Sequence, residues 1–299
     1  MKMRRAVTLV SFLLLGLGCV SPCRATADEV VVVLGSDSQP YQEALAGVKE
    51  SYGTNVQVIS FSKGDVHISE GTRVIVAIGG KAALYSYNAP QAVFIYCVAP
   101  QTYADPLQHP AGMTKVHISP PPDILLQKLR DLQPSLKRLQ SFWVSDLAIN
   151  YQKPLKEEGD KIGVTVSSEH LKSLEELPDR LRAIKGRVDA FWLPPDPLLI
   201  TPQSFAMIRQ FSWDNNIPLY VSMDALADQG AAASVGVSFR EQGRKAGSLV
   251  TQALSSHAGR LGSDYYGEKI LVTINLKSAA KAGLSIPAEV SKRADRLVP

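Results

Sequence analysis

The sequence predicts an α/β protein in which parallel sheets are covered by helices and the chain is divided into two lobes. Short apolar runs rich in Val and Ile alternate with helical stretches along almost the whole chain, which is typical of repeated β-α-β units. Several runs are apolar throughout rather than alternating, as expected for strands buried on both faces. The length of 299 residues exceeds what one small core needs and suits two lobes of roughly 120–150 residues each.

The first half of the chain contains mostly predicted strands and one long helix. Residues 29–34 form a continuous Val-rich run, and residues 40–52 follow as a helix with Pro40 in its first turn and Gly53 just past its end. Further apolar runs predict strands at residues 56–61, 73–78, 92–98 and 115–118. The three prolines at 120–122 are stiff and continue neither kind of element, so they indicate a crossing between the lobes.

The pattern restarts after the prolines. Apolar side chains at helical spacing predict a helix at residues 123–132. A second helix is predicted at residues 149–158, closed by Gly159. Later helices are predicted at residues 171–184, 202–215 and 241–255. The intervening strands are predicted at residues 142–144, 163–167, 188–193, 218–222, 233–239 and 270–274, and two short helical pieces end the chain.

Composition and charge limit the class of protein. Apolar residues make up 45% and charged residues 20%, values that exclude a coiled coil, a collagen-like chain and a multi-span membrane protein. The net charge of +4 arises from Lys2, Arg4, Arg5 and Arg24, which lie in an N-terminal segment without acids. The other 28 of the 32 basic residues are balanced by 28 acidic residues, so we expect no nucleic-acid partner.

The N-terminus, residues 1–27, is predicted to be a secretory signal peptide. Cations precede the apolar stretch at 6–20, which is shorter than the roughly 20 residues that a membrane span needs. Small residues at Ala25-Thr26-Ala27 suit a leader peptidase, whose cut would leave Asp28 as the first residue of a periplasmic or extracellular protein. Two alternatives stay open: a lipoprotein cut before Cys19, and a membrane anchor.

The sequence offers little support for an enzyme. After cleavage one cysteine remains, Cys97, within an apolar run where a thiol is usually inert. His109 and His117 lack the spacing of a metal-binding motif, and solvated or capping roles fit them better. Ser36 lacks a Gly-x-Ser-x-Gly turn, and the segment around Lys81 lacks the first glycine and the hydroxyl of a phosphate-binding loop. We therefore expect no catalytic residue, no metal and no cofactor.

Small, polar and acidic residues follow several of the predicted strands. Ligands of open parallel sheets bind at the carboxyl ends of the strands, so these positions predict a polar cleft. Each position also suits a turn or a helix cap, and Asp224 in particular would suit a cap for a helix beginning at Ala225. An enclosed ligand ammonium would need a carboxylate, which Asp196 or Asp224 would supply. The candidate ligand-binding residues are Ser36, Asp37, Gly79, Gly80, Lys81, Ser145, Asp146, Asp196, Met223 and Asp224.

Four segments in the second half have an order and spacing specific to one protein family. They are VDAFWLP at 188–194, IPLYVS at 217–222, VGV at 235–237 with GRKAG at 243–247, and NLK at 275–277. Together they resemble the bacterial ABC-transporter substrate-binding proteins of the tryptophan-binding type, which have the type I periplasmic binding protein fold. The resemblance covers most of residues 30–297. The first half departs from it, since Gly79-Gly80-Lys81 stands where the family usually has Thr or Ser.

The resemblance implies two Rossmann-like lobes joined by three hinge crossings, near Pro120, Phe239 and Ile274. The implied lobes are residues 28–119 with about 240–269, and residues 120–239 with about 270–299. It also implies a monomer that closes over a small molecule, an amino acid or a related compound, and presents it to an ABC permease and its ATPase. The alternative is a sensing module of the same fold that reports to a membrane receptor or kinase.

Overall fold

Two β-sheets organise the protein in a computed structural model that describes residues 29–100, 104, 106–145, 149–255 and 261–299. The strands are β1 (Val30–Leu34), β2 (Gln57–Ser60), β3 (Val74–Ile78), β4 (Val93–Cys97), β5 (Met113–His117), β6 (Arg138–Trp143), β7 (Thr165–His170), β8 (Ala190–Leu193), β9 (Leu219–Val221), β10 (Ala233–Gly236), β11 (Asp264–Tyr266), β12 (Leu271–Asn275) and β13 (Arg296–Val298). The helices are α1 (Gln39–Ser51), α2 (Gly80–Ala83), α3 (Pro122–Leu132), α4 (Ile149–Lys161), α5 (Leu177–Ile184), α6 (Pro202–Asn215), α7 (Asp224–Asp228), α8 (Phe239–Ser255), α9 (Leu276–Lys281) and α10 (Ala288–Arg293). Among the described helices, none combines the length and apolar character that a membrane span requires. The predicted signal peptide, Cys19 and Asp146 lie outside the described residues.

The first sheet has the strand order β11-β5-β4-β3-β1-β2, and its strands pair in parallel. β1 lies inside the sheet and is buried on both faces. Val32 packs on the face covered by α1 and α8, whereas Val33 packs on the opposite face with Ala82 of α2. The Val-rich run predicts such a doubly covered strand, and the structure confirms it.

The second sheet has the order β13-β12-β10-β9-β8-β6-β7, and one of its pairs departs from the predicted parallel arrangement. β12 pairs with β10 antiparallel, with Ile274 opposite Ala233. The reason is topological. The chain leaves β11 at the carboxyl end of the first sheet and enters the second sheet at the end where its parallel strands finish, so β12 runs opposite to β10. The fold is α/β with two mostly parallel sheets flanked by helices.

The described chain passes from one sheet to the other at residues 118–121, 237–238 and 267–270. Pro120 lies in the first of these segments, and Phe239, the first residue of α8, directly follows the second. The expected third crossing near Ile274 is wrong, since Ile274 is a buried residue of β12. The true crossing precedes β12.

Helices α1 and α8 pack with their backbones in contact, although they are far apart in the chain. A Cβ atom at Gly47 would lie 2.0 Å from the carbonyl oxygen of Arg240, and one at Gly243 would lie 1.9 Å from that of Ala44. The hydroxyl of Ser51 donates a hydrogen bond of 2.7 Å to the carbonyl of Arg244, 193 residues away. These glycines therefore place α8, which follows β10 of the second sheet, on the first sheet.

Some predicted boundaries differ from the observed ones. Gly159 does not close α4 but lies inside it, and the turn comes at Gly163, whose φ is +73°. Gly159 serves packing, since a Cβ there would lie 2.5 Å from the carbonyl oxygen of Val164. The strand predicted at 233–239 ends at Gly236, and the sequence did not predict the short elements α2, β11 and β13.

Candidate functional site

A cavity of about 330 Å³ lies where elements of both sheets meet the crossings. This volume falls within the range of roughly 300–1,000 Å³ that is usual for small-molecule sites. A larger groove of about 750 Å³ lies between α3, α4 and α10, but the described candidate residues do not line it. The smaller cavity is lined by Pro40 and Glu43 of α1, by Ser222, Met223, Asp224 and Ala225 after β9, by Gly236 of β10, and by Ile118, Val237, Ser238, Phe239 and Leu271 in or beside the crossings.

The loop from β9 into α7 brings two predicted residues, Met223 and Asp224, to this cavity. Met223 occupies the N-cap position of α7, and Asp224 is the first helical residue, so the alternative of Asp224 as a side-chain cap is wrong. The half-buried carboxylate of Asp224 instead accepts a hydrogen bond from the hydroxyl of Ser234. Ser222 is 5% exposed, and its hydroxyl has no hydrogen-bond partner among the described residues.

Glu43 is a cavity residue that the sequence reasoning missed. It lies in α1, partly buried, and accepts a 3.1 Å hydrogen bond from the side-chain amide of Gln39. The helical spacing could have identified it, because Glu43 lies three residues after Pro40 and one helical turn places both residues on the same face. Glu43 lies inside a helix, away from the strand ends at which ligands of parallel sheets are expected to bind.

Asp196 has a different environment from Asp224. It is fully buried, and its Oδ2 accepts hydrogen bonds from the backbone N–H groups of Val144 at 2.7 Å and Ser145 at 2.9 Å. Its Oδ1 accepts one from the N–H of Leu198 at 2.9 Å. The carboxylate therefore joins the end of β6 to the loop after β8, and Ser145 takes part through its backbone.

The candidates after β1 lie at the carboxyl end of the first sheet but do not line the 330 Å³ cavity. The hydroxyl of Ser36 accepts a 3.3 Å hydrogen bond from the N–H of Ser38, the N-cap residue of α1. Asp37 is exposed. The structure thus gives Ser36 a role in the turn and leaves Asp37 open to water.

The candidates after β3 form a tight turn into α2. Gly79 has φ +97°, and a Cβ atom there would lie 2.6 Å from the ring of Tyr41, so backbone and packing both require glycine. Gly80 begins the short helix α2. Lys81 is exposed, and its ammonium lies 4.6 Å from the centre of the Phe61 ring. These three residues do not line the cavity.

Three titratable groups, Lys115, His117 and Asp264, lie close together on β5 and β11. Burial lowers the pKa of Lys115 to about 8, and the nearby carboxylate of Asp264 opposes that shift. His117 Nε2 lies 2.7 Å from Asp264 Oδ1. Burial lowers the pKa of His117, whereas the hydrogen bond to His117 lowers the pKa of Asp264. Lys115 and His117 line a small cavity together with Pro195, which lies in the loop after β8 of the second sheet.

The histidines and the cysteine that the sequence singled out are buried. His109 is 7% and His117 is 8% exposed, so the expectation of solvated histidines is wrong for both. The ring of His109 stacks on the ring of Phe94 in β4, with 3.8 Å between the ring centres. Cys97 is fully buried, and burial raises the pKa of its thiol to about 12.

Comparison with solved structures shows the same fold in three bacterial proteins. An ABC domain from Streptococcus pneumoniae in complex with L-Trp is 19% identical, with 90% of this chain and 100% of that chain covered and a TM-score of 0.60. A ligand-free, open substrate-binding protein with adhesive properties from Clostridium difficile is 15% identical, with 90% and 98% covered and a TM-score of 0.65. A conserved domain protein from Vibrio cholerae is 14% identical, with 91% and 100% covered and a TM-score of 0.62.

Sequence comparisons agree with the fold at the level of family. No curated protein matches the chain significantly. The family model described as ABC transporter substrate binding protein matches residues 49–298, which is most of the chain. The expected resemblance to the ABC-transporter substrate-binding proteins is thereby confirmed at the level of family, and the fold is that of the type I periplasmic binding proteins. The protein belongs to the ABC transporter substrate-binding family and is a solute-binding protein.

Proposed function

We propose that this protein is exported, captures a small molecule between two lobes and delivers it to the permease and ATPase of an ABC importer. The small molecule would be an amino acid or a related compound, since a protein of the same fold is known in complex with L-Trp. The lobes would be residues 28–119 with about 240–269, and residues 120–239 with about 270–299. The family supports solute binding and an importer as partner.

The observation that carries the proposal is the 330 Å³ cavity at the crossings. Glu43 reaches it from α1, which packs on the first sheet, and Asp224 reaches it from the start of α7, which follows β9 of the second sheet. Ile118 and Phe239, in and beside two of the crossings, complete the wall. A molecule held there would contact both lobes, and a ligand drives closure only through contacts that differ between the open and closed states.

The remaining candidates are proposed to face the ligand when the lobes approach each other. On the first lobe these are Ser36, Asp37, Gly79, Gly80 and Lys81, which lie at the ends of β1 and β3. On the second lobe they are Ser145 and Asp146, in the loop that the carboxylate of Asp196 holds through the N–H of Ser145, together with the cavity residues Met223 and Asp224. Strand ends of two sheets that face one cleft are the usual place for a ligand in such folds.

Small-angle X-ray scattering tests closure directly. A ligand is first found by thermal shift, where a concentration of 100 times the dissociation constant adds about 2.7 kcal/mol to stability. We expect the saturated protein to have a smaller radius of gyration and an unchanged far-ultraviolet circular dichroism spectrum, as for a hinge motion. For an amino-acid ligand, the enantiomer that does not bind is the matched control. An unchanged radius at saturation would contradict closure.

Export has its own measurement, because the signal peptide is proposed from the sequence alone. Intact-mass spectrometry of the protein recovered from the producing cells should show a chain that begins at Asp28. A diacylated chain beginning at Cys19 would establish the lipoprotein alternative. A full-length chain that starts at Met1 would contradict export by cleavage and favour the membrane anchor.

A further inference from the structure

The second and third crossings between the sheets run side by side. On the second-sheet side, the antiparallel pairing of β10 and β12 places Gly236 opposite Leu271. On the first-sheet side, a Cβ atom at Gly267 would lie 2.4 Å from Cγ1 of Val237, so the two segments are in contact there as well. The two crossings therefore form one narrow connection, and a hinge between the sheets has to bend both segments at the same level.

The second crossing, residues 237–238, is held by the first turn of α8. The hydroxyl of Ser238 accepts a hydrogen bond of 3.1 Å from the N–H of Glu241. The side-chain amide of Gln242, which is fully buried, donates to the carbonyl of Val237 at 3.4 Å. Its oxygen accepts a hydrogen bond of 3.1 Å from the N–H group that follows β4, that of Val98. This crossing is thus fixed to the first sheet, and its bend lies where β10 ends.

The third crossing, residues 267–270, is longer, and the carboxylate of Glu241 holds its backbone. Oε1 of Glu241 accepts hydrogen bonds from the N–H groups of Glu268 at 3.1 Å and Lys269 at 3.3 Å. The side chain of Glu241 is only 12% exposed. Hydrogen bonds to a charged acceptor are stronger than those between neutral groups. Because α8 packs on the first sheet, this carboxylate fixes the first-sheet end of the third crossing.

Glu241 is the residue that bonds to both crossings. Its N–H reaches Ser238 in the second, and its carboxylate reaches the backbone of the third. Lys245 of α8 also contacts the third crossing, with Nζ 3.0 Å from the carboxylate of Glu268. That carboxylate side chain is 79% exposed, so the ion pair is solvated and leaves the backbone unrestrained.

We infer that Glu241 is a positioning residue of the hinge, which makes both crossings bend at one level and the sheets rotate about one axis. With the N–H groups of Glu268 and Lys269 held, the remaining part of the third crossing is Ile270, next to the start of β12. Without Glu241, all of residues 268–270 would gain backbone freedom, and the rotation would lose its fixed axis. The inference rests on the proposed closure and deepens it.

Hydrogen–deuterium exchange of the purified, ligand-free protein tests the contact. In Glu241→Ala we expect the amides of Glu268 and Lys269 to exchange about tenfold or more faster, because they lose their acceptor. Glu241→Gln keeps a side-chain oxygen and should stay within about threefold of the unaltered protein. Lys245→Gln is the matched control, since it removes the ion pair of the same helix and leaves the acceptor in place.

The exchange experiment has two outcomes that overturn the inference. One is unchanged exchange in Glu241→Ala, and the other is exchange in Glu241→Gln as fast as in Glu241→Ala. Far-ultraviolet circular dichroism establishes that each variant is folded. If Glu241→Ala does not fold, Glu241→Asp takes its place, since its carboxylate is one methylene shorter and falls short of the same N–H groups.

Distances between spin labels on the two sides test the effect on the hinge. Labels are attached to cysteines at two exposed positions, Thr54 after α1 and Asp160 in α4. Cys19→Ser and Cys23→Ser remove the N-terminal thiols. Cys97 is fully buried, so we expect it to stay unlabelled. Double electron–electron resonance then gives the distribution of distances in the ligand-free protein.

Glu241→Ala should widen that distribution by about 1.5-fold or more, because the hinge gains freely rotating residues. Glu241→Gln should restore the width of the unaltered protein, and Lys245→Gln should not change it. An unchanged width in Glu241→Ala, even with faster exchange, would overturn the role of Glu241 in the hinge.

These measurements need no solute, so they separate the inference from the function on which it rests. A solute that shrinks the radius of gyration, together with an unchanged width in Glu241→Ala, would overturn the inference and leave the proposed closure intact. A solute that binds without changing the radius would contradict the proposed closure, whatever the spin labels show.

Discussion

The loops after β8 and β9 carry the same sequence pattern but are built differently. Each places an aspartate shortly after an apolar strand, Asp196 after β8 and Asp224 after β9. Asp196 is fully buried and its carboxylate accepts three hydrogen bonds from backbone N–H groups. Asp224 lines the cavity at the crossings and accepts a hydrogen bond from Ser234.

The difference arises from the neighbouring strands. β8 lies beside β6, and the two residues that follow β6, Val144 and Ser145, direct their N–H groups at Asp196. β9 lies beside β10, where Gly236 has no side chain and forms part of the cavity wall. A carboxylate surrounded by backbone donors stabilises a loop, whereas one beside a cavity is available to a ligand. The strand order, rather than the local sequence pattern, therefore decides the different environments of Asp196 and Asp224.

The largest expected effect is on the buried aspartate. Asp196→Ala leaves three backbone N–H groups without their acceptor, so we expect the free energy of unfolding to fall by about 2–4 kcal/mol in urea denaturation. Asp160→Ala, at an exposed position of α4, is the control and should change stability by less than about 0.5 kcal/mol. A loss below about 1 kcal/mol for Asp196→Ala would contradict the structural role of this carboxylate.

The packing of Gly236 against the loop after β9 is tested by adding one methyl group at Gly236. In Gly236→Ala the new Cβ would lie 2.0 Å from the backbone oxygen of Ser222, which has little freedom to move. We expect a loss of about 1–3 kcal/mol in stability and weaker ligand binding, because the cavity loop must shift. Gly71→Ala is the matched control, since its Cβ would meet no atom within 4 Å. Equal stability of the two variants would show that the β9 loop is not tightly held.

The smallest effect concerns two serines of the same region. Ser234 is fully buried and bonded to Asp224, so Ser234→Ala should destabilise the ligand-free protein by about 1–2 kcal/mol. The hydroxyl of Ser222 has no partner among the described residues, so Ser222→Ala should leave stability within about 0.5 kcal/mol or raise it slightly. Thermal melts without ligand compare the two. A destabilised Ser222→Ala protein would indicate that this hydroxyl is already satisfied.

The sequence predicts those elements best whose ends are encoded locally. Helix α6 has the predicted bounds, Pro202–Asn215, because Thr201 and Ser204 form a capping box and Pro202 follows the cap. The strand β11 was missed, since its three residues are held by pairing with β5, from which they are far apart in the chain. The start of β6 was missed because Arg138 looks unsuited to a buried sheet, whereas its charge is satisfied by Asp189 at 2.6 Å.

In the candidate site too, the sequence predicts best those residues whose position is encoded locally. Met223 and Asp224 were predicted because they directly follow a strand, and the structure brings both to the cavity. Glu43 lies one turn into a helix, and Phe239, the first residue of α8, lay within a strand predicted too long, so neither was a candidate ligand-binding residue. Lys115 lies in the middle of a strand, and nothing local in the sequence distinguishes it from a solvated lysine.

The close packing of α1 and α8 also has a consequence for how the chain folds. α1 is synthesised early, but the helix that covers Ala44 and Val48 is made only after most of the second sheet, as the 193-residue separation between Ser51 and Arg244 shows. Contacts between such distant segments are slow to form. While the chain is growing, the side of α1 that packs on α8 stays uncovered, and it is a target for chaperones and for aggregation until α8 arrives. The two sheets are therefore not two independent folding units, and cutting the chain between β10 and α8 would leave the first of them incomplete.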